Sequence, residues 1–322
     1  MSRTVAVVSG GVGAARFMHA LASVHPTSDT IAVINTGDDT VLHGLAISPD
    51  LDTVTYTLAG AIDPERGWGL RSESWRAMES LERYSAVRPA DSAAAPTWFN
   101  LGDKDLATHL FRTARLAEGA SLTTVTAEIA VAWGLDQRLL PMSDEPVSTM
   151  VTLREEGVEV PFQEYFVKRR HSVPIAGVRF AGVQAAALTQ LARNALGDSE
   201  VVVIAPSNPI VSIGPIRALA DFDQLLAARR ESVVAISPIV GGAALKGPAE
   251  QMLRELGHEP SVVGVARLYA EIAATLVIDP VDEALARAVE ATGMRVVITP
   301  SVMSTTDVGA ELARRTLAAA RL

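Results

Sequence analysis

Residues 35 to 53 read NTGDDTVLHGLAISPDLDT, and Asp38, Asp39, Asp50 and Asp52 stand in that span with no Lys or Arg among them. Aspartate occurs at turns and helix caps for purely local reasons. Carboxylates gathered without basic neighbours are also the ligand set of a hard divalent cation, which takes oxygen donors. Asp50 and Asp52 are two apart, so an extended segment would aim both to one side. Pro49 and Gly37 are expected to shape the backbone, with one aspartate capping the helix suggested by TVTYTLAG.

Other loops carry groups suited to anions. SGGVGAAR (9–16) follows a short apolar run and opens a helical stretch, where backbone N–H groups of Gly10, Gly11 and Gly13 can cradle phosphate. In the register Gly11-x-Gly13 the third glycine of a dinucleotide fingerprint falls on Arg16, and the second strand ends in Ile34-Asn35 where a ribose acid would stand. Both departures disfavour a nicotinamide cofactor. APSNPIVSIGPIRAL (205–219) offers Ser207 and Asn208 directly after a strand, suited to a base or a phosphate. SPIVGGAALKGPAEQML (237–253) repeats the logic with Lys246, and the three loops are expected to converge on one crevice.

LGDKDLATHLFRTARLAEG (101–119) reads as a helix with Asp103 or Asp105 as N-cap and Gly119 as C-cap. Lys104 sits beside that N-terminus, where an anion is welcome, and His109 reads as a helix-face histidine. FQEYFVKRR (162–170) reads as a charged strand end, and Asp144 and Glu145 as turn residues.

These loops need elements to hold them. TVAVV (4–8) and TIAVI (30–34) flank ARFMHALASV, whose Phe17, Leu21 and Val24 stand at helical spacing, giving a βαβ unit. VVVIA (201–205), VVAIS (233–237), VVGVA (262–266), TLVID (275–279) and VVITP (296–300) are expected as further buried strands. The alternation predicts an α/β fold, doubly wound and Rossmann-like, with a largely parallel sheet. PVSTMVTLREEGVEVPFQEYFVKRR reads as an antiparallel hairpin turning near Glu156-Gly157. Residues 121–175 are therefore expected as an insertion with helical and hairpin parts inside a single domain spanning 1–322. ADSAAAPT (90–97) is the one linker-like passage.

Composition limits the function classes. The 322 residues are 48% hydrophobic and 20% charged, which can bury a large core. No cysteine is present, which excludes disulfides, zinc thiolates and thiol nucleophiles. The net charge of −9, with no basic stripe, argues against nucleic acid and for small-molecule partners. No apolar run approaches the ~20 residues of a membrane span, and the expected location is cytoplasmic.

Taken together, VSGGVGAARF, INTGDD, ISPDLDTVTYTLAG, LGDKDLATH, LPMSDEPVSTMV, PSNPIVSIGPI, ALKGP and GVARLY resemble, nearly end to end, the phospholactate or phosphoenolpyruvate transferases of coenzyme F(420) synthesis. That resemblance implies a reaction in which the terminal ribityl hydroxyl of the deazaflavin Fo attacks a guanosine diphosphate ester of lactate or enolpyruvate, releasing GMP. It implies a Mg²⁺-type ion and a homodimer. It associates Asp52 and Lys104 with Fo; Asp38, Asp39, Asp50 and Asp52 with the metal; and Gly10, Gly11, Gly13, Ser207 and Asn208 with the guanine nucleotide. Asp52 or Asp50 is the expected proton acceptor. GGVGAAR, in place of the GGTGTPK of many relatives, resembles the actinobacterial subgroup and points to the enolpyruvyl donor. Relatives often carry Arg where Lys104 stands, and lysine keeps the charge without the bidentate fork. The competing reading is a nucleotide-sugar-binding regulatory protein on the same sheet, which would not need the SPDLDT and LGDKD segments.

Overall fold

The computed structural model of the chain describes residues 3–89, 92, 94 and 98–321. Apart from Ser92 and Ala94, the linker-like passage 90–97 lies outside the described residues. Seven strands form one parallel sheet: β1 (Val5–Ser9), β2 (Thr30–Ile34), β3 (Arg138–Pro141), β4 (Val201–Ile204), β5 (Val233–Ile236), β6 (Thr275–Ile278) and β7 (Arg295–Ile298). Their order is β3-β2-β1-β4-β5-β6-β7, every neighbouring pair parallel. This is the doubly wound α/β arrangement expected from the sequence, with the order reversing between β1 and β4, where such sheets bind ligands.

The apolar runs carry no polar alternation because both faces are covered. Val5 and Val7 of β1 join Val201 and Val203 of β4 in a core with Phe17 and Leu21 of helix α1 (Gly11–Ala22) and Leu312 of helix Thr306–Ala319. Ala6, Val8, Val202 and Ile204 face the other way, onto Leu196, Phe222, Leu253 and Val262.

Two expectations change. VVGVA (262–266) is not a strand but the start of helix Val262–Tyr269. Ser261 caps it, its hydroxyl accepting from the N–H groups of Val263 and Gly264, so the cap decides the conformation of a β-branched run. The span 121–175 divides. Helix α5 (Leu122–Ala132) leads into β3, the edge strand of the parallel sheet, so this portion belongs to the main winding. The antiparallel portion is a three-stranded sheet in which Ser148–Leu153 pairs with both Glu159–Pro161 and Ile175–Ala181. Its hairpin turns where expected, with Gly157 at φ +66°. Val151, Phe162 and Tyr165 pack there against Val211 and Met252 of the main body. Among the described residues no helix is long and apolar enough to cross a membrane.

Candidate functional site

The glycine turn sits at the reversal of strand order. A Cβ on Gly13 would lie 2.2 Å from the Pro206 carbonyl oxygen, and one on Gly10 2.8 Å from Ser212 Cβ. The turn after β1 therefore packs directly on the loop after β4, and only glycine permits it. The third loop arrives as well: a Cβ built on Gly67 would lie 3.1 Å from Lys246 Nζ and 3.5 Å from Val12 Cγ1.

Four loop residues behave differently from one another. Asn208 closes its own loop, its Oδ1 accepting from Ile210 N–H at 2.9 Å and Val211 N–H at 3.4 Å. Ser207 has a buried hydroxyl with no partner among the described residues. The Asp50 carboxylate lies against Gly10 and Gly11, so an acid already stands at the N-terminus of α1. Lys104 donates to the Arg71 carbonyl at 3.0 Å and lines a separate hollow of about 250 Å³ with Trp133 and Leu70.

The aspartates fall into two sets, and the reason is local. Helix α2 (Pro49–Leu58) begins at Pro49, which places Asp50 and Asp52 in its first turn. The extended geometry that would aim both carboxylates to one side does not occur. On a helix, residues two apart point to nearly opposite faces.

Asp50 turns to the glycine turn. Asn35, fully buried at the end of β2, donates Nδ2 to Asp50 Oδ2 at 2.9 Å while its Oδ1 accepts from Gly37 N–H at 2.8 Å. Burial pushes the Asp50 carboxyl up to about 6, although the Asn35 and Gly11 donors oppose the shift. Burial, then the charges of Asp50 and Asp39, hold Asp38 well above the usual carboxylate range. Asp39 is raised for the same first reason, offset by the Ser48 hydroxyl, which donates to it at 2.6 Å, and by Arg112. Asp38 Oδ1 and Asp39 Oδ1 are both buried and unpartnered among the described residues.

Asp52 turns to helix α4 (Asp105–Ala117). Arg112, only 2% exposed, forks onto it, Nη1 lying 3.1 Å from Oδ2 and Nη2 bonding Oδ1. His109 stands between, Nδ1 3.3 Å from Arg112 Nη1 and Nε2 3.3 Å from Asp105 Oδ2. Tyr56 of α2 donates to Asp105 Oδ1 at 2.6 Å and packs on Trp133 with ring centroids 5.2 Å apart. His109 thus lies on a buried helix face with two acidic neighbours. Arg112 was not singled out in the sequence. The available signal was Asp105, His109 and Arg112 at i, i+4 and i+7, a polar stripe at helical period.

Asp38 and Asp39 line a cavity of about 380 Å³ between the β2 and β3 loops and the antiparallel sheet, with Asp144, Glu145, Phe162 and Gln163. Its lining holds four carboxylates and no Lys, Arg or His. An anionic ligand enters such a space only with a cation. Asp38 and Asp39, raised first by burial and each with an unpartnered Oδ1 among the described residues, fit a hard divalent ion of the Mg²⁺ type. A second grouping, Asp52, Asp105 and His109, has one donor atom from each residue within 4.8 Å of the others.

The chain is similar to known proteins along nearly its whole length. The family described as 2-phospho-L-lactate transferase CofD matches residues 5–311. A phosphoenolpyruvate transferase of Streptomyces griseus is 39% identical over 316 residues, covering 97% of each chain. One of Mycobacterium avium is 40% identical over 298 residues, covering 85% of this chain and 86% of its own. Among solved structures, a UPF0052 family protein of Bacillus halodurans superposes with a TM-score of 0.61 at 12% identity, covering 98% of this chain and 99% of its own, a likeness of fold.

Proposed function

The chain belongs to the CofD family of 2-phospho-L-lactate transferases, and from that premise we propose that it transfers a phosphoenolpyruvyl group from a guanosine diphosphate ester to the terminal ribityl hydroxyl of Fo, with GMP leaving. The single observation that carries the reading is the acidic cavity lined by Asp38 and Asp39 with no basic residue, each of these two keeping a buried Oδ1 without a partner among the described residues. The enolpyruvyl donor is preferred over the lactyl one because the similar actinobacterial proteins are phosphoenolpyruvate transferases.

In this reading Asp38, Asp39 and Asp50 hold a Mg²⁺-type ion, which supplies charge neutralisation for the diphosphate. Gly10, Gly11 and Gly13 let the backbone approach the nucleotide, and Ser207 offers its hydroxyl from the facing loop. Asn208 keeps that loop closed. Lys104, with the indole of Trp133, forms the anion-tolerant, aromatic side on which Fo rests. Phosphoryl transfer proceeds through a loose transition state and asks mainly for positioning and charge stabilisation. The hydroxyl proton moves late, so a carboxylate held by an arginine suffices as acceptor, and Asp52 fills that role. A homodimer in the cytoplasm completes the reading; sedimentation and cell fractionation test those two parts.

The deciding experiment incubates the protein with Fo, the enolpyruvyl guanosine diphosphate ester and Mg²⁺, and follows GMP. Release of GMP with formation of the phosphodiester of Fo is expected. No GMP, together with tight binding of a sugar nucleotide, would replace this reading with the regulatory one.

A further inference from the structure

The Asp52, Asp105 and His109 grouping has the residue types and spacing of a site for a divalent transition metal. We propose that it takes none, because Arg112 is the fixed cation of the site: a positioning residue occupying the place a second ion would take. The chain then binds one divalent ion, at Asp38, Asp39 and Asp50.

Both Asp52 oxygens, Asp105 Oδ1 and His109 Nδ1 already face a hydrogen. Both Asp52 oxygens accept from the Arg112 fork. Arginine can only donate, so His109 Nδ1, 3.3 Å from Arg112 Nη1, must present its lone pair there and carry the ring proton on Nε2 towards Asp105. Asp105 Oδ1 accepts from Tyr56. Arg112 is anchored further by the Ala46 carbonyl at 3.4 Å. A guanidinium does not deprotonate in a protein and its planar fork matches a carboxylate, so a dication cannot enter without displacing it. In the other set Asp50 accepts from Asn35 and Asp39 Oδ2 from Ser48, but Asp38 Oδ1 and Asp39 Oδ1 are buried with no hydrogen-bond partner among the described residues. Arg112 also offsets the charge of Asp39, so one buried side chain on α4 balances a carboxylate of each set. Its consequence for the reaction is an Asp52 held in one orientation and kept from the metal.

This inference rests on the reading that Asp38, Asp39 and Asp50 form the cation site, and its test needs no substrate. Mn²⁺ alone is titrated into the full chain, with bound ion counted by electron paramagnetic resonance and fold checked by circular dichroism. The expected result is one ion per chain. Asp38→Asn should weaken it by at least about tenfold, and His109→Ala should leave the count at one and the affinity within about twofold. In Arg112→Met a second ion should appear and vanish again in the variant that also carries His109→Ala. Two ions or none in the unmodified chain, or loss of the ion in His109→Ala with Asp38→Asn unaffected, overturns the proposal. The unmodified chain and the first two variants decide it even where Arg112→Met does not fold. A chain that binds one ion this way yet releases no GMP would contradict the proposed reaction and leave this inference standing.

Discussion

At the scale of single residues, Asp52 is the side chain whose removal says most, and its setting dictates how the experiment must be built. Asp52→Asn leaves the buried Arg112 without its counter-charge, which costs about 3–5 kcal/mol in such settings. Loss of transfer in that variant alone would mix misfolding with chemistry. Combining Asp52→Asn with Arg112→Gln removes the unbalanced charge. We expect the double variant to recover much of the urea midpoint lost by the single one and still to release no GMP. Turnover at the unmodified rate in the double variant would remove Asp52 from the reaction. Asp38, Asp39, Asp50 and Asp52 stand out in the sequence as candidate site residues by their density and by the absence of Lys or Arg. Their division into two sets was not legible there, because it depends on α2 starting at Pro49 and not one residue pair later.

At the scale of elements, the glycine turn and the loop after β4 form one contact. Gly13 is the tightest point, since a Cβ there meets a backbone carbonyl at 2.2 Å and not a side chain that could swing away. Gly13→Ala is expected to lower stability by about 1–3 kcal/mol, as overpacking does, and to reduce GMP release by more than the lost fold accounts for. A melting temperature unchanged in thermal denaturation would show that the two loops are not in fact locked. Ser261 gives a second element-level check. Ser261→Ala should cost about 1 kcal/mol in urea denaturation through loss of the cap on helix Val262–Tyr269. Six of the seven parallel strands were readable as short β-branched runs. The seventh, β3, reads only RLLP, too short for periodicity to speak. The run VVGVA misled for the converse reason, its residues being right for a strand while the preceding serine starts a helix.

At the scale of the whole molecule, the crevice stores electrostatic cost. Asp50 titrates at about 6 when folded against an ordinary 3.8, and Asp38 and Asp39 shift in the same direction. A raised folded value means the protonated form is favoured by folding, so this contribution is fully present below about pH 4. It is lost as pH rises through about 6, on the order of 3 kcal/mol for Asp50 alone. A divalent ion should restore it. Mg²⁺ is therefore expected to raise the melting temperature more at about pH 8 than at about pH 5, and an equal shift at both would contradict the carboxylate site. The antiparallel sheet shares its core with the main body through Val211 and Met252. We accordingly read the chain as one unit and expect a single urea transition, coincident by fluorescence and circular dichroism. Composition, apolar runs and glycine placement were enough to determine the α/β class and the glycine turn, because each follows from chemistry local to a few residues. That Arg112 stands on Asp52, where a metal could, was decided only by tertiary structure. That fact depends on side chains of α2 and α4 meeting, a contact between residues 60 positions apart that no local pattern records.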